Sequence, residues 1–369
     1  MLEDALFFSF AAVLLIQLIY YGFVFLKFSF KEYTIPTAKN IPVSVIICAK
    51  NEADNLRLNL PSIIHQDYAS FEIVLIDDNS SDETLEVMEE FAQQHSNIKI
   101  VKVKPIDKFW GNKKYALTLG IKAASHNFLL FTDADCKVQS NQWIKLMSAH
   151  FSKSKSIVLG YGAYEKKKNS FLNKLIRFET LLTAVQYFSY ANLGTPYMGV
   201  GRNLAYRKDT FFEVSGFMSH MHIKSGDDDL FVNQAANSHN VAVCNSLESF
   251  TYSQPKKNLK SWLKQKRRHV STAKFYKAKH KFALGLFFIT QLLFWILAIV
   301  LLILSYKFYW VLGMIFIRFL FQYISLTKSA NKLDEKDLRP WFAILDLCLI
   351  YIQLVIFTNN LISKPNHWN

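Results

Sequence analysis

The chain has 369 residues, enough for one large domain or two ordinary ones, and is 51% hydrophobic and 15% aromatic at a formal net charge of +14. That composition excludes an average soluble protein and leaves a membrane or a polyanion as partner; the apolar residues gather at the two ends, which favours the membrane. Cys48, Cys136, Cys244 and Cys348 form no C-x-x-C pair, which excludes a patterned disulfide framework or structural zinc site and fits reduced thiols.

Residues 5–26 carry no charge and one sizeable polar side chain, Gln17. About 20 such residues cross a bilayer core as a helix. The acidic start (Glu3, Asp4) and the long aromatic run speak against a cleaved signal peptide, so the segment reads as a retained anchor.

From Pro42 strands and helices alternate. PVSVIIC is a short apolar run of the kind found in buried parallel strands. ADNLRLNLPSIIHQ reads as a helix that Pro61 is expected to kink or split. EIVLIDD is a second strand, after which Ser80 and Glu83 have capping-box spacing and predict the start of a helix over SDETLEVMEEFAQQH. IKIVKV, KKYALTLGIKAA and NFLLFTDAD follow as strand, helix and strand. The alternation predicts an α/β fold with a doubly wound, mostly parallel sheet, whose ligands bind at the carboxyl ends of the strands. Three polar clusters fall at those ends: AKNE (49–52), DDNSSD (77–82) and DAD (133–135). No G-x-G-x-x-G follows the first strand and no P-loop motif occurs, which weakens dinucleotide dehydrogenases and P-loop nucleotidases as candidates.

Asp133 and Asp135 offer two hard oxygen ligands at the mouth of the sheet, suited to Mg²⁺ or Mn²⁺ bridging a diphosphate as a Lewis acid. Asp77 and Asp78 would accept the N–H of a base, and Ala49, Asn51 and Glu52 line the same rim. Lys113, opening the third helix, would reach the diphosphate as a point charge. In SGDDDLF (225–231) three adjacent carboxylates repel one another, which raises a pKa and yields a candidate general base.

Residues 169–193 are long, apolar and aromatic and read as an interfacial helix. Residues 260–281 are strongly basic and run directly into an apolar segment, so anionic headgroups rather than nucleic acid are the expected partner. Three further spans are predicted at 282–304, 308–326 and 341–362; Arg318 and Asp346 lie inside the last two and are expected to pair. The Lys/Arg bias predicts both termini outside and the middle of the chain in the cytoplasm.

With these residues assembled, the chain resembles membrane-bound glycosyltransferase family 2, whose catalytic fold is GT-A. The likeness runs from about Val43 to His269: VSVIICAKNE, IDDNSSDET, GNKKYAL with Lys113 at the lysine position and Asn112 inserted after Gly111, TDAD, YMGVGRNLAYRKDTFFEVSGF, SGDDDLF and QKRRH. The resemblance implies an inverting, metal-dependent transfer of a sugar from a nucleotide sugar, taken as a UDP-sugar, to a lipid or glycan acceptor at the cytoplasmic membrane face. It implies donor contacts from Gln265 and Arg268 of a Q-x-x-R-W-like motif in which His269 replaces tryptophan. Gly201, Arg202 and Asn203 would stand near the acceptor, and the base would be Asp228 or, in the other register, Asp227. A catalytically inactive scaffold, a processive polysaccharide synthase and a surface-binding protein are the rival readings. The expected domains are an anchor (1–30), a cytoplasmic GT-A domain (36–255), a basic interfacial helix (256–281) and a membrane domain of three helices (282–369).

Overall fold

The computed structural model describes residues 1–104, 113–223 and 225–362. Gly111 and Asn112 therefore lie outside the described residues. In chain order the elements are α1 (Leu2–Ile19), a π-helical turn (Tyr20–Val24) and α2 (Leu26–Ser29), followed by β1 (Val43–Ala49), α3 (Ala53–Ile64), β2 (Phe71–Asp77), α4 (Thr84–Gln94) and β3 (Ile98–Lys102). Next come α5 (Lys113–Ala123), β4 (Phe128–Phe131), β5 (Cys136–Val138), α6 (Trp143–Ala149), β6 (Ile157–Leu159), β7 (Gly162–Tyr164) and α7 (Phe171–Asn192). The chain continues through β8 (Leu204–Arg207), α8 (Lys208–Glu213), α9 (Asp229–Ala235), β9 (Val241–Val243), β10 (Thr251–Ser253), α10 (Leu259–Val270), α11 (Ala278–Ile303), α12 (Phe308–Lys332) and α13 (Phe342–Ile362).

These elements divide into two compact units. The α/β unit comprises Tyr33–Lys168 and Gly194–Asn258; the helical unit comprises Met1–Glu32, Asn169–Leu193 and the chain from Leu259.

In the α/β unit, seven strands form one sheet in the order β3-β2-β1-β4-β8-β6-β9. β3, β2, β1 and β4 run parallel, and only β8 is antiparallel to its neighbours. The expected mostly parallel sheet is thus present. Strand periodicity explains its two covered faces. Val43, Val45 and Ile47 of β1 point into a core shared with Leu56 and Leu60 of α3 and Trp143 and Met147 of α6. Ile46, on the other face, looks toward α5, where Gly120 lets helix and sheet approach: a Cβ there would meet the Ile76 side chain at 2.1 Å. A second, smaller sheet in the order β5-β10-β7 is built from three-residue strands.

Two local expectations are corrected. Pro61 lies inside α3, which runs unbroken from Ala53 to Ile64, so the helix is not split there. The Ser80–Glu83 capping box does not form. Helix α4 begins at Thr84, whose N–H and hydroxyl both donate to Asp82 Oδ1 (3.0 and 2.5 Å), while Glu83 pairs with Arg57 (2.7 Å).

In the helical unit, among the described residues, four helices are long and apolar enough to cross a membrane: Leu2–Ser29, Ala278–Ile303, Phe308–Lys332 and Lys336–Ile362. Phe10, Val13 and Leu14 of α1 pack with Phe294, Ala298 and Leu301 of α11 and Val311 of α12. The pair expected between Arg318 and Asp346 is present, with Nη2 donating to Oδ2 at 3.0 Å and both side chains fully buried. Gln291 donates to the other carboxylate oxygen (2.7 Å), and Gln322 accepts from Arg318 Nη1 (3.1 Å). Helix α7, begun by Ser170 Oγ accepting from the Asn173 N–H (3.1 Å), is buried along most of its length and packs on α2, α12 and α13. An interfacial helix would leave one face bare, so the expected interfacial reading is replaced by that of a packed helix. Its Arg177, 1% exposed, is clamped by Glu335 (Nε to Oε2, 2.8 Å) and Asp337 (Nη1 to Oδ2, 2.8 Å).

Candidate active site

The carboxyl ends of β1, β2 and β4 carry the acidic clusters because each strand is buried on both faces and its polar residues begin where burial stops. Past β1, Asn51 takes a left-handed backbone (φ 56°) that turns the chain into α3. Its Oδ1 accepts from the Ser81 N–H (2.8 Å) and its N–H donates to Ser80 Oγ (3.1 Å), which ties the loop after Ala49 to the loop after β2. There Asp77 and Asp78 are both buried; Asp77 Oδ1 accepts from the Ser80 N–H (3.1 Å), and the Asp78 N–H donates to the Ala49 carbonyl (2.9 Å). Burial raises the Asp78 carboxyl above the usual range, against the pull of Lys50. Glu52 is raised too, first by burial and then by the fields of Asp135 and Asp133, while Asn55 donates to it (2.5 Å).

Past β4 the chain turns at once, with the Cys136 N–H donating to the Asp133 carbonyl (3.0 Å) and Asn59 Nδ2 holding the Ala134 carbonyl (3.1 Å). Ligand atoms of Asp133, Asp135 and Cys136 lie within 4.8 Å of one another. The two carboxylates suit a hard divalent cation. The Cys136 thiol does not: burial pushes it up and keeps it protonated, and it stands 3.0 Å from Ser253 Oγ. Burial and Asp133 raise Asp135, against Arg202.

Lys113 binds this centre to the second acidic cluster. Its Nζ lies 2.7 Å from Asp133 Oδ1 and 3.4 Å from Asp227 Oδ2. Burial pulls against the ammonium, but Asp133 and Asp227 outweigh it and hold the charge well above the ordinary lysine range. Lys113, Asp133, Asp227, Asp228 and Gly201 line one cavity together with Cys48 and Tyr206, neither of which the sequence singles out.

Asp228 heads α9. One oxygen accepts from the Gly201 N–H and the other from the Asp229 N–H, each at 2.7 Å. These bonds favour the carboxylate, yet burial and the neighbouring Asp227 and Asp229 outweigh them and raise Asp228 to about 7. The preceding Gly226 has φ 93°, and a Cβ there would meet the Leu230 side chain at 2.6 Å. Arg202 donates to the Ala163 carbonyl (2.9 Å) and lies over the Tyr164 ring (4.3 Å). The Asn203 amide is occupied internally: Nδ2 donates to the carbonyls of Tyr161 (3.0 Å) and Ser249 (2.7 Å), and Oδ1 accepts from Trp143 Nε1 (3.1 Å). Asn203 thus fixes the segment that presents Gly201 and Arg202.

The α/β unit therefore holds Ala49, Asn51, Glu52, Asp77, Asp78, Lys113, Asp133, Asp135, Gly201, Arg202, Asn203, Asp227 and Asp228. Gln265, Arg268 and His269 lie on α10 in the helical unit. That helix is pinned to α13, with Arg267 Nε donating to Asn360 Oδ1 (3.0 Å), and its Lys266 pairs with Glu179 of α7.

Residues 44–217 match the family described as glycosyl transferase family 2, and residues 131–327 match glycosyl transferase family group 2. Among curated relatives, an uncharacterized glycosyltransferase of Haemophilus influenzae is 32% identical over 127 residues, 34% of this chain and 38% of that one. Cholesterol galactosyltransferase of Borreliella burgdorferi is 35% identical over 98 residues (27% and 26% of the two chains). Poly-beta-1,6-N-acetyl-D-glucosamine synthase of Staphylococcus epidermidis is 31% identical over 99 residues (27% and 23%). The matches thus span well under half the length of these relatives. Among solved structures, mannosyltransferase PcManGT from Pyrobaculum calidifontis, in complex with GDP-Man and Mn²⁺, aligns over 90% of this chain and 99% of its own with a TM-score of 0.61. At 16% identity that likeness is one of fold.

Proposed function

Because the chain belongs to glycosyl transferase family group 2, we propose that it moves a sugar from a nucleotide-sugar donor to an acceptor hydroxyl, with inversion at the anomeric carbon. The observation that carries this reading is the cavity in which Lys113 bridges Asp133 and Asp227 beside Asp228. In this reading Asp133 and Lys113 face the diphosphate and Asp228 takes the proton, all lining one small volume.

Asp133 and Asp135 fit a divalent cation by donor chemistry, Mn²⁺ or Mg²⁺, and would hold it there. When bound, such an ion neutralises charge on the departing diphosphate. Lys113 adds a fixed positive charge on the same side, and Asp77, Asp78 and the Ala49–Glu52 rim take the nucleoside, read as uridine. Asp228 is the base. Its raised value near 7 suits proton transfer at neutral pH, and Gly201 and the Asp229 N–H hold its oxygens in place. The acceptor O–H proton passes to Asp228, the oxygen bonds to the anomeric carbon, and the bond from that carbon to the diphosphate oxygen breaks. Asp227 keeps Lys113 in register. The donor roles of Gln265 and Arg268 and the acceptor role of His269 belong to this proposal on the resemblance alone.

The acceptor is a lipid or glycan, and the α/β unit faces the cytoplasm with both termini outside. The basic charge of Lys274 and Lys277 before α11 and of Lys279 and Lys281 in its first turn supports that orientation. The test is a screen of UDP- and GDP-sugars with the purified full chain in lipid, with and without Mn²⁺ or Mg²⁺, read by nucleoside diphosphate release and mass spectrometry of the product. Cation-dependent release that vanishes in Asp133→Ala, with the variant still inserted, is the expected result. A wild-type chain that neither binds nor turns over any nucleotide sugar overturns the reading.

A further inference from the structure

Among the described residues of the α/β unit, the proposed mechanism leaves a buried cation, Lys114, unused. Lys114, next to Lys113 in the first turn of α5, is 1% exposed. Its Nζ donates to three main-chain carbonyls: His220 (2.8 Å), Ile223 (3.0 Å) and Ser225 (2.8 Å). An ammonium has three N–H donors and loses much of its hydration free energy when buried, so three converging carbonyl dipoles are the kind of cradle that makes such a placement tolerable. Asp227, Asp229 and Asp228 add a favourable field, yet burial prevails and brings Lys114 down to about 8.

What the cradle holds matters more than the charge. The Ser225 carbonyl belongs to the residue immediately before Gly226, whose left-handed backbone delivers Asp227 and Asp228 to the cavity. The same first turn of α5 presents Lys113 to Asp133 and Asp227. Two adjacent lysines thus tie α5 to both sides of the site, one through carboxylates and the other through main chain.

We infer that Lys114 is a positioning residue for the acidic cluster: by tethering the carbonyls of His220, Ile223 and Ser225 to α5, it sets where Asp227 and Asp228 stand relative to Asp133. The catalytic part of this inference rests on the glycosyl-transfer reading; the tether itself does not.

The test uses the full chain in lipid with Lys114→Met, which keeps length and removes every donor, and Lys114→Gln, which keeps an N–H donor. Hydrogen exchange is followed at amides 226–230 and, as reference, in β1 and β4. In Lys114→Met, exchange at 226–230 should rise at least tenfold with the reference strands unchanged. Its kcat for transfer should fall at least tenfold with the donor KM within twofold, and Lys114→Gln should lie between it and wild type. Unchanged exchange at 226–230 overturns the inference. So does a rise in exchange across the whole α/β unit with kcat and KM failing together, which marks a lysine of general structural value. If Lys114→Met does not fold, Lys114→Gln carries the same readouts. A wild-type chain without transfer activity overturns the functional reading, while the exchange experiment still decides the tether.

Discussion

The two units handle buried charge in opposite ways. In the helical unit the buried ions among the described residues meet their opposites: Arg318 meets Asp346, and Arg177 meets Glu335 and the more exposed Asp337. In the α/β unit the cavity gathers Asp133, Asp227 and Asp228 beside Lys113, with Asp135 next to Asp133. Burial first, and then the neighbouring carboxylates, push Asp135 and Asp228 upward. Neutral pairing is what a stable interior needs, since an unpaired buried ion is costly. An unbalanced cluster persists where something else is to complete it, and perturbed carboxylates gathered in a cavity are the usual mark of a working site.

The comparison can be broken most sharply at Asp228. Asp228→Asn should lower transfer by roughly 10²- to 10⁴-fold, the range for removing a general base, with nucleotide binding retained; steady-state rates and calorimetric titration with UDP check it. A variant as active as wild type would move the proton acceptor elsewhere, with Asp227 next in line.

The helical unit should respond in stability instead. Arg318→Met leaves Asp346 buried without its counterion and should cost about 3–5 kcal/mol, measured by reversible unfolding in detergent. The double variant Arg318→Met with Asp346→Leu should recover most of that loss, because an apolar pair needs no neutralisation.

Between these extremes lies pH. Asp228 keeps its proton up to about 7, so the ionised base is lost below that value and transfer should fall tenfold per pH unit on the acid side. The sign for stability is the reverse. Between the ordinary aspartate range and about 7 the folded chain holds a proton that the unfolded chain has released, so this group's contribution to stability declines as pH rises through that window. A rate profile and unfolding midpoints from pH 5 to 8 should therefore slope in opposite directions. The smallest effect belongs to a pair that neither unit buries: Glu83→Gln removes the exposed partner of Arg57 and should leave the unfolding midpoint unchanged.

Much of this was legible in the sequence wherever burial writes a pattern. β1, β2 and β4 announce themselves as short apolar runs because both faces of the sheet are covered there, and the carboxylates appear where the cover ends. The Arg318–Asp346 pair follows from two charges at membrane depth with few other partners to reach. What stayed hidden depends on contacts rather than spacing. Strands β5, β7 and β10 have three residues each, too few to carry a period. Asp82 displaced the S-x-x-E box because loop geometry, with φ 56° at both Asn51 and Asn79, set which oxygen meets the first free N–H. Lys114 reads as one more basic residue on a helix; only the fold brings three carbonyls to it. Asn203 sits in a motif yet turns inward, which no motif records.

The Arg177 clamp also has a temporal side. Its first carboxylate partner, Glu335, lies 158 residues further along the chain. At roughly 5–20 residues per second of synthesis, Arg177 emerges roughly 8 to 30 seconds before Glu335. Helix α7 is therefore made early, and its Arg177 lacks both counterions until the segment just past α12 has been produced. The chain must pass through an interval in which its α/β unit is interrupted by a helix still waiting for its counterions, and a ribosome-stalled intermediate ending before residue 335 is where that waiting state can be caught.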